Sequence, residues 1–196
     1  MKSEDRLKKQ LEFILEIDKM KKILRQTILT DYSRQENDAE HSWHISVMAM
    51  VLAEYADESV DISRVIRMTL VHDLIEIYAG DTFAYDVAGN QDKKARENVA
   101  ADRLFAMLPA DQGSEIRNLW EEFDRMESPD AIFAAALDRL QPLLHNFVTE
   151  GHTWKRGVTS EQVRKRMAVI EKANPRLFEV VNTVIDESLE KGYLKE

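Results

Sequence analysis

Chain-breaking residues are so scarce in this sequence that most of it has to be helix. Its 196 residues hold six glycines and four prolines, too few for the turns of a β fold. Between those breakers, apolar residues recur at helical spacing. Leu7, Leu11, Ile14, Leu15, Ile17, Met20 and Leu24 mark a first helix over residues 4–24, and a break follows at Thr30-Asp31-Tyr32-Ser33. Asn37, three before Glu40, has the pattern of a capping box, so a second helix should run from about Asp38 to Ala56. Its middle, Ile45 to Ala53, is nearly all apolar and predicts a buried central helix. A third begins at Asp61 or Ser63 and carries Val65, Ile66, Leu70, Val71, Leu74 and Ile75 to a stop at Gly80. Residues 81–90 read as a loop, Lys93 to Leu108 and Ile116 to Met126 as helices. Ser128-Pro129 opens a helix through Asp138 to about Glu150. Thr159 with Gln162 opens another, Asn174-Pro175 breaks it, and a last helix reaches Gly192.

With no repeat, low-complexity tract or linker, the expectation is one all-α domain over 1–196. Its core spans about 25–151, and helices over 159–192 pack on it. The start Met1-Lys2-Ser3-Glu4-Asp5-Arg6 has no apolar signal core, and no run approaches the roughly 18 apolar residues of a membrane span. A cytoplasmic protein away from membranes is expected. The net charge of −9 argues against a nucleic-acid surface, though a local pocket can still take a small anion.

There is no cysteine, so any metal must be held by His, Asp, Glu and water. His72-Asp73 stands near the end of the apolar third helix, with Glu76 one turn further on the same face. An exposed helix end would explain that cluster without function. Against this, His41 opens a helix that reads as buried, and Asp138 interrupts the apolar run Ala131 to Leu137, where an unpaired charge is costly. Asp81 adds another acid just after Gly80. Two histidines and two aspartates on three helices make a mixed nitrogen and oxygen set suited to a divalent metal.

The order His41 … His72-Asp73 … Asp138 resembles the HD-domain superfamily of metal-dependent phosphohydrolases. The stretches Arg34 to His44, His72-Asp73-Leu74-Ile75-Glu76 with Gly80-Asp81, and Leu137-Asp138-Arg139-Leu140-Gln141 are similar to its 5'-deoxynucleotidase branch. The likeness runs from about Arg25 to Gly151. It implies an HD-type bundle of six to eight helices, with one divalent ion (Mn, Co, Mg, Fe or Zn) on His41, His72, Asp73 and Asp138. It also implies that Glu76 and Asp81 act as acids around the attacking water and the phosphate, and that Arg25 grips the phosphate. Some bacterial members follow that arginine with an aromatic residue; Gln26 stands here. The implied substrate is a small phosphorylated molecule, foremost a (deoxy)nucleoside 5'-monophosphate, with a homodimer as an open possibility. Other phosphoesters and a catalytically silent helical module are the alternatives. Among the remaining candidates, His44 is expected to bond a ligand rather than be one. His145 is expected to pack, Arg139 to make a structural ion pair, Trp43 and the methionines at 48, 50 and 68 to fill the core, and Trp154 to lie in an exposed loop.

Overall fold

The structure, a computed structural model, describes residues 3–196, so the first two residues of the charged start lie outside it. Among the described residues the elements are α1 (Ser3–Ile17), β1 (Leu24–Ile28), β2 (Gln35–Asn37), α2 (Asp38–Val51), α3 (Ile62–Val71), α4 (Glu76–Ala79), α5 (Lys93–Phe105), α6 (Ala110–Arg125), α7 (Pro129–Val148), α8 (Ser160–Ala173) and α9 (Pro175–Glu190). All the helices but the single turn α4 have ten residues or more, and the fold is the all-α bundle expected. The capping residues act as their positions require. The Asn37 side chain accepts from the Glu40 N–H at 3.0 Å while Glu40 accepts from the Asn37 N–H at 3.2 Å, and Ser128 accepts from the Ala131 N–H at 3.2 Å.

The 20-residue α7 is the centre. Phe133, Leu137, Leu140 and Leu143 are buried among Ile45, Val65 and Met68 of α2 and α3 on one side, and among Val163, Ile170, Val181 and Ile185 of α8 and α9 on the other. The C-terminal helices thus share this core. A smaller core gathers Phe13 and Met20 with Leu74, Ile75, Leu104, Phe105 and Trp120. Pro142 lies inside α7 and has no N–H for the carbonyl of Asp138 four residues earlier, so the ladder is interrupted at that aspartate. Just past the C-terminus of α7, Gly151 has φ +72°, and a Cβ there would meet the Tyr193 carbonyl oxygen at 2.1 Å. Only glycine lets the C-terminal segment close on α7.

The structure corrects four expectations. The helix expected to reach Gly80 stops at Val71, and the chain tightens into i→i+3 bonds, Leu74 N–H to Val71 O at 3.2 Å and Glu76 N–H to Asp73 O at 2.9 Å, before α4. The expected first helix ends at Ile17, and its last part is a 3₁₀ turn followed by a hairpin in which Leu24 faces Asn37 and Ile28 faces Gln35. Its apolar face is largely open, with Leu11 and Leu15 exposed and Phe13 buried. The α2 helix is two-faced: Ile45 and Ala49 are buried, whereas Trp43 is 64% and Met50 63% exposed, so neither fills the core. No helix among the described residues is long and apolar enough to cross a membrane.

Candidate metal centre

The site forms at the seam between the two cores. In the tight turn after α3, Leu74 and Ile75 are buried in the smaller core, while His72, Asp73 and Glu76 line a cavity of about 410 Å³. Asp138 of α7, Arg25 of β1 and Asp81 line it too. His41, fully buried in the first turn of α2, stands behind them. Three elements therefore bring His41, His72 and Asp138 together, with one ligand atom of each within 4.8 Å of the others.

The hydrogen bonds of the two rings decide which nitrogens face inward. His72 Nδ1 donates to the Thr69 carbonyl at 2.8 Å, because a carbonyl can only accept. His41 Nδ1 bonds the side-chain oxygen of Gln141 at 3.1 Å. The Nε2 atoms then point at carboxylates: His41 Nε2 is 3.0 Å from Asp138 Oδ1, and His72 Nε2 is 3.0 Å from Asp73 Oδ2 and 3.6 Å from Asp138 Oδ1. Burial, with Arg25 nearby, holds His41 below its ordinary pKa, so its neutral ring sets a lone pair against a carboxylate oxygen. Two acceptors facing each other at that distance suit a shared cation. His72 Nε2 is buried and makes no well-aligned hydrogen bond to either carboxylate. A divalent metal fits this donor set.

The charges tell the same story. Burial alone would depress His72, but Asp73 and Asp138 lift it to about 10. It thus holds the proton that a cation would displace. Asp138 lies well below the usual carboxylate range: burial works against this, and the two histidine rings beside it, His41 and His72, outweigh it. The second ring of acids behaves oppositely. Asp38, Asp73 and Glu76 place oxygens within 4.8 Å of one another. Burial and then Asp73 push Asp38 up to about 7, and burial, Asp73 and Asp38 raise Glu76 well above its ordinary value. Burial raises Asp81 as well. Arg25 bridges the group, with Nη1 2.8 Å from Asp73 Oδ2 and 3.2 Å from Asp38 Oδ1, and Nε 3.8 Å from Glu36 Oε2.

All seven residues singled out in the sequence thus lie in or directly behind one cavity. Asp38, Glu36 and Gln141 were missed. Asp38 reads as an ordinary first-turn acid, although its place three before His41 puts both on one face of α2. Nothing local marks Glu36 or Gln141. The loop over residues 80–92 is held by Arg96, whose guanidinium bonds Ala79 O at 2.7 Å, Gly89 O at 2.9 Å and Thr82 Oγ1 at 3.1 Å. Two further expectations fail. Trp154 is buried, 2% exposed, and lines the cavity. Arg139 makes no ion pair with a carboxylate among the described residues. It lines the cavity and bonds neutral acceptors, Arg166 O at 3.0 Å and Met126 Sδ at 3.0 Å. Burial and Arg166 lower its pKa. His44 and His145 stay out of the cavity and contact Gln141 instead, at 3.3 and 3.1 Å.

Comparison with known proteins agrees with this geometry. The family model described as HD domain matches residues 17–178. The human 5'-deoxynucleotidase HDDC2 is 30% identical over 135 residues, 68% of this chain and 65% of the relative. The chain thus spans about 65% of the length of that curated relative. A crystal structure from Magnetospirillum magnetotacticum MS-1, of a predicted metal-dependent phosphohydrolase, superposes with a TM-score of 0.95 at 57% identity, over 98% of this chain and 97% of that one. A Pyrococcus horikoshii OT3 protein, 20% identical, shares the fold at a TM-score of 0.66 over 90% of this chain and 98% of that one.

Proposed function

We propose, since this chain belongs to the HD-domain family, that it is a metal-dependent phosphohydrolase releasing phosphate from small phosphomonoesters, foremost (deoxy)nucleoside 5'-monophosphates. One observation carries the reading: with the His41 proton on Nδ1, toward the Gln141 oxygen, its Nε2 lone pair faces Asp138 Oδ1 at 3.0 Å beside acids that line an open cavity. His41, His72 and Asp138 would hold the ion, with Asp73 as the fourth ligand. When bound, such an ion cancels phosphate charge and makes water a better nucleophile near neutral pH.

The rest falls to side chains. The attack joins a water oxygen to phosphorus and breaks the bond from phosphorus to the ester oxygen. One proton must leave the water and one must reach the departing oxygen. Glu76 is buried, has an unpartnered Oε2, and is raised toward the range where a carboxyl can both take and give a proton. It is the candidate base, and Asp81, also raised, the candidate acid. Arg25 has Nη1 committed to Asp38 and Asp73, which leaves Nη2 for a phosphate oxygen. The names of the curated relatives support the nucleotide as substrate; Gln26, where some bacterial members carry an aromatic residue, leaves the sugar contact different here. A second reading, a nucleotide with more than one phosphate, is favoured by the carboxylate-free Arg139 in the same cavity.

The test is a phosphate-release screen over nucleoside mono-, di- and triphosphates and non-nucleotide esters, with Mn²⁺, Co²⁺ and Mg²⁺ added separately. Release from monophosphates is expected. No release from any ester by metal-loaded protein would overturn the assignment.

A further inference from the structure

Behind the cavity lies a second polar group, the buried Glu36 and His145 with the half-buried His44, and Gln141 in its midst. Gln141 is the member that reaches a candidate metal ligand. Its Oε1 is 3.1 Å from His41 Nδ1, and its Nε2 is 2.6 Å from Glu36 Oε1. The two ends of an amide are chemically opposite, one accepting and one donating. Turned around, the amide would press its oxygen on the Glu36 carboxylate and its N–H on His41 Nδ1. Glu36 prevents this. It is 2% exposed, and its other oxygen accepts from Thr27 Oγ1 at 3.0 Å. The carboxylate sets the amide, the amide oxygen demands a proton on His41 Nδ1, and a neutral imidazole has only one.

We propose that Glu36 and Gln141 are positioning residues that select the Nδ1–H form of His41 and so present Nε2 as the ligand atom. For its consequence, though not for the tautomer itself, this rests on the reading of His41 as a metal ligand. The comparison with His72 supports it. There the acceptor is a helix carbonyl, Thr69 O, which cannot rotate and needs no keeper. Side-chain amides can turn, and of these two histidines His41 is the one that relies on an amide. Interposing a neutral amide also keeps the Glu36 charge one residue further from a site already crowded with Asp38, Asp73, Glu76, Asp81 and Asp138.

The experiment pairs nitrogen-15 NMR of the metal-free protein with Co²⁺ affinity by chelator competition. Wild type should show His41 protonated at Nδ1. Glu36→Gln and Gln141→Leu should each mix or reverse that tautomer and weaken Co²⁺ binding ~10–100-fold, as lost support of a ligand does. The exchanged pair, Glu36→Gln with Gln141→Glu, keeps the net charge and lets residue 36 donate to a carboxylate that accepts from His41. It should restore both readouts. A merely structural role would lower melting temperature and leave tautomer and affinity alone. A wild-type His41 protonated at Nε2, or a folded Gln141→Leu with unchanged tautomer and affinity, overturns the proposal. If Gln141→Leu does not fold, the wild-type spectrum and Glu36→Gln decide. Correct tautomer without any Co²⁺ binding would fail the metal reading and leave the positioning role standing.

Discussion

Two groups of buried histidines and acids lie a few ångströms apart in this molecule, and they differ in what stands between their members. In the interior group, the Gln141 amide nitrogen sits 2.6 Å from Glu36 Oε1, 3.1 Å from His145 Nε2 and 3.3 Å from His44 Nδ1. Three possible acceptors there meet one donor, although His145 Nδ1 has no partner of its own. In the group of His41, His72 and Asp138, the His41 Nε2 lone pair left by a proton on Nδ1 faces a carboxylate oxygen of Asp138, and the cavity opens beside them. Both groups have the residue types and spacing of a metal site. The lesson is that ligand counting does not identify such a site. A lone pair set against a carboxylate beside an open cavity does, because buried acceptors that face each other are rare unless something else satisfies them.

The sharpest way to break this comparison is to remove one histidine from each group. His72→Ala should lose bound metal, measured by elemental analysis, and phosphate release should fall to background. His145→Ala should keep its metal. Equal metal loss in both would mean the interior group holds the ion. Next in size, Glu76→Gln should retain metal yet cut turnover by at least ~100-fold, the lower end for a positioned acid–base group. Full activity would remove Glu76 from the proton path. Arg139→Met should raise KM about tenfold or more with little change in kcat, the effect of losing a charge-assisted hydrogen bond to an anion. An unchanged KM would return Arg139 to a packing role.

The smallest effect concerns pH. Asp38 titrates near 7 in the folded, metal-free chain and near 3.9 when unfolded. The folded state therefore binds the extra proton between these values, and this group's stabilisation is full below about 4 and lost as pH rises through 7. In chelator, the melting temperature of Asp38→Asn relative to wild type should climb across that window and level off above it. A flat difference would show that Asp38 stays ionised.

The fold was largely legible because its punctuation is local. Asn37, Ser128, Thr159 and Asn174 announce helix starts through their own side chains, and they cap helices where expected. What failed depended on distant partners. The break after Val71 serves a seam between two cores, and no residue in the stretch His72 to Ile75 is a chain breaker. Trp43 and Met50 read as core from their apolar neighbours, yet which face of α2 meets α3 and α7 is decided by the whole bundle. In the site, the residues of the ordered His and Asp pattern were visible, whereas Glu36 and Gln141 act across 105 positions of chain and carry no local mark. An ion pair is the ordinary expectation for an arginine such as Arg139 beside a core; its surroundings offer a carbonyl and a sulfur instead.

The account turns on where a divalent ion goes, and anomalous diffraction from a Mn²⁺- or Co²⁺-loaded crystal reads that directly. It predicts a peak bounded by His41 Nε2, His72 Nε2 and carboxylate oxygens of Asp73 and Asp138, at the ~2.0–2.3 Å typical of such bonds, and none among Glu36, His44 and His145. A peak in the interior group, or none at either place in loaded protein, would contradict it.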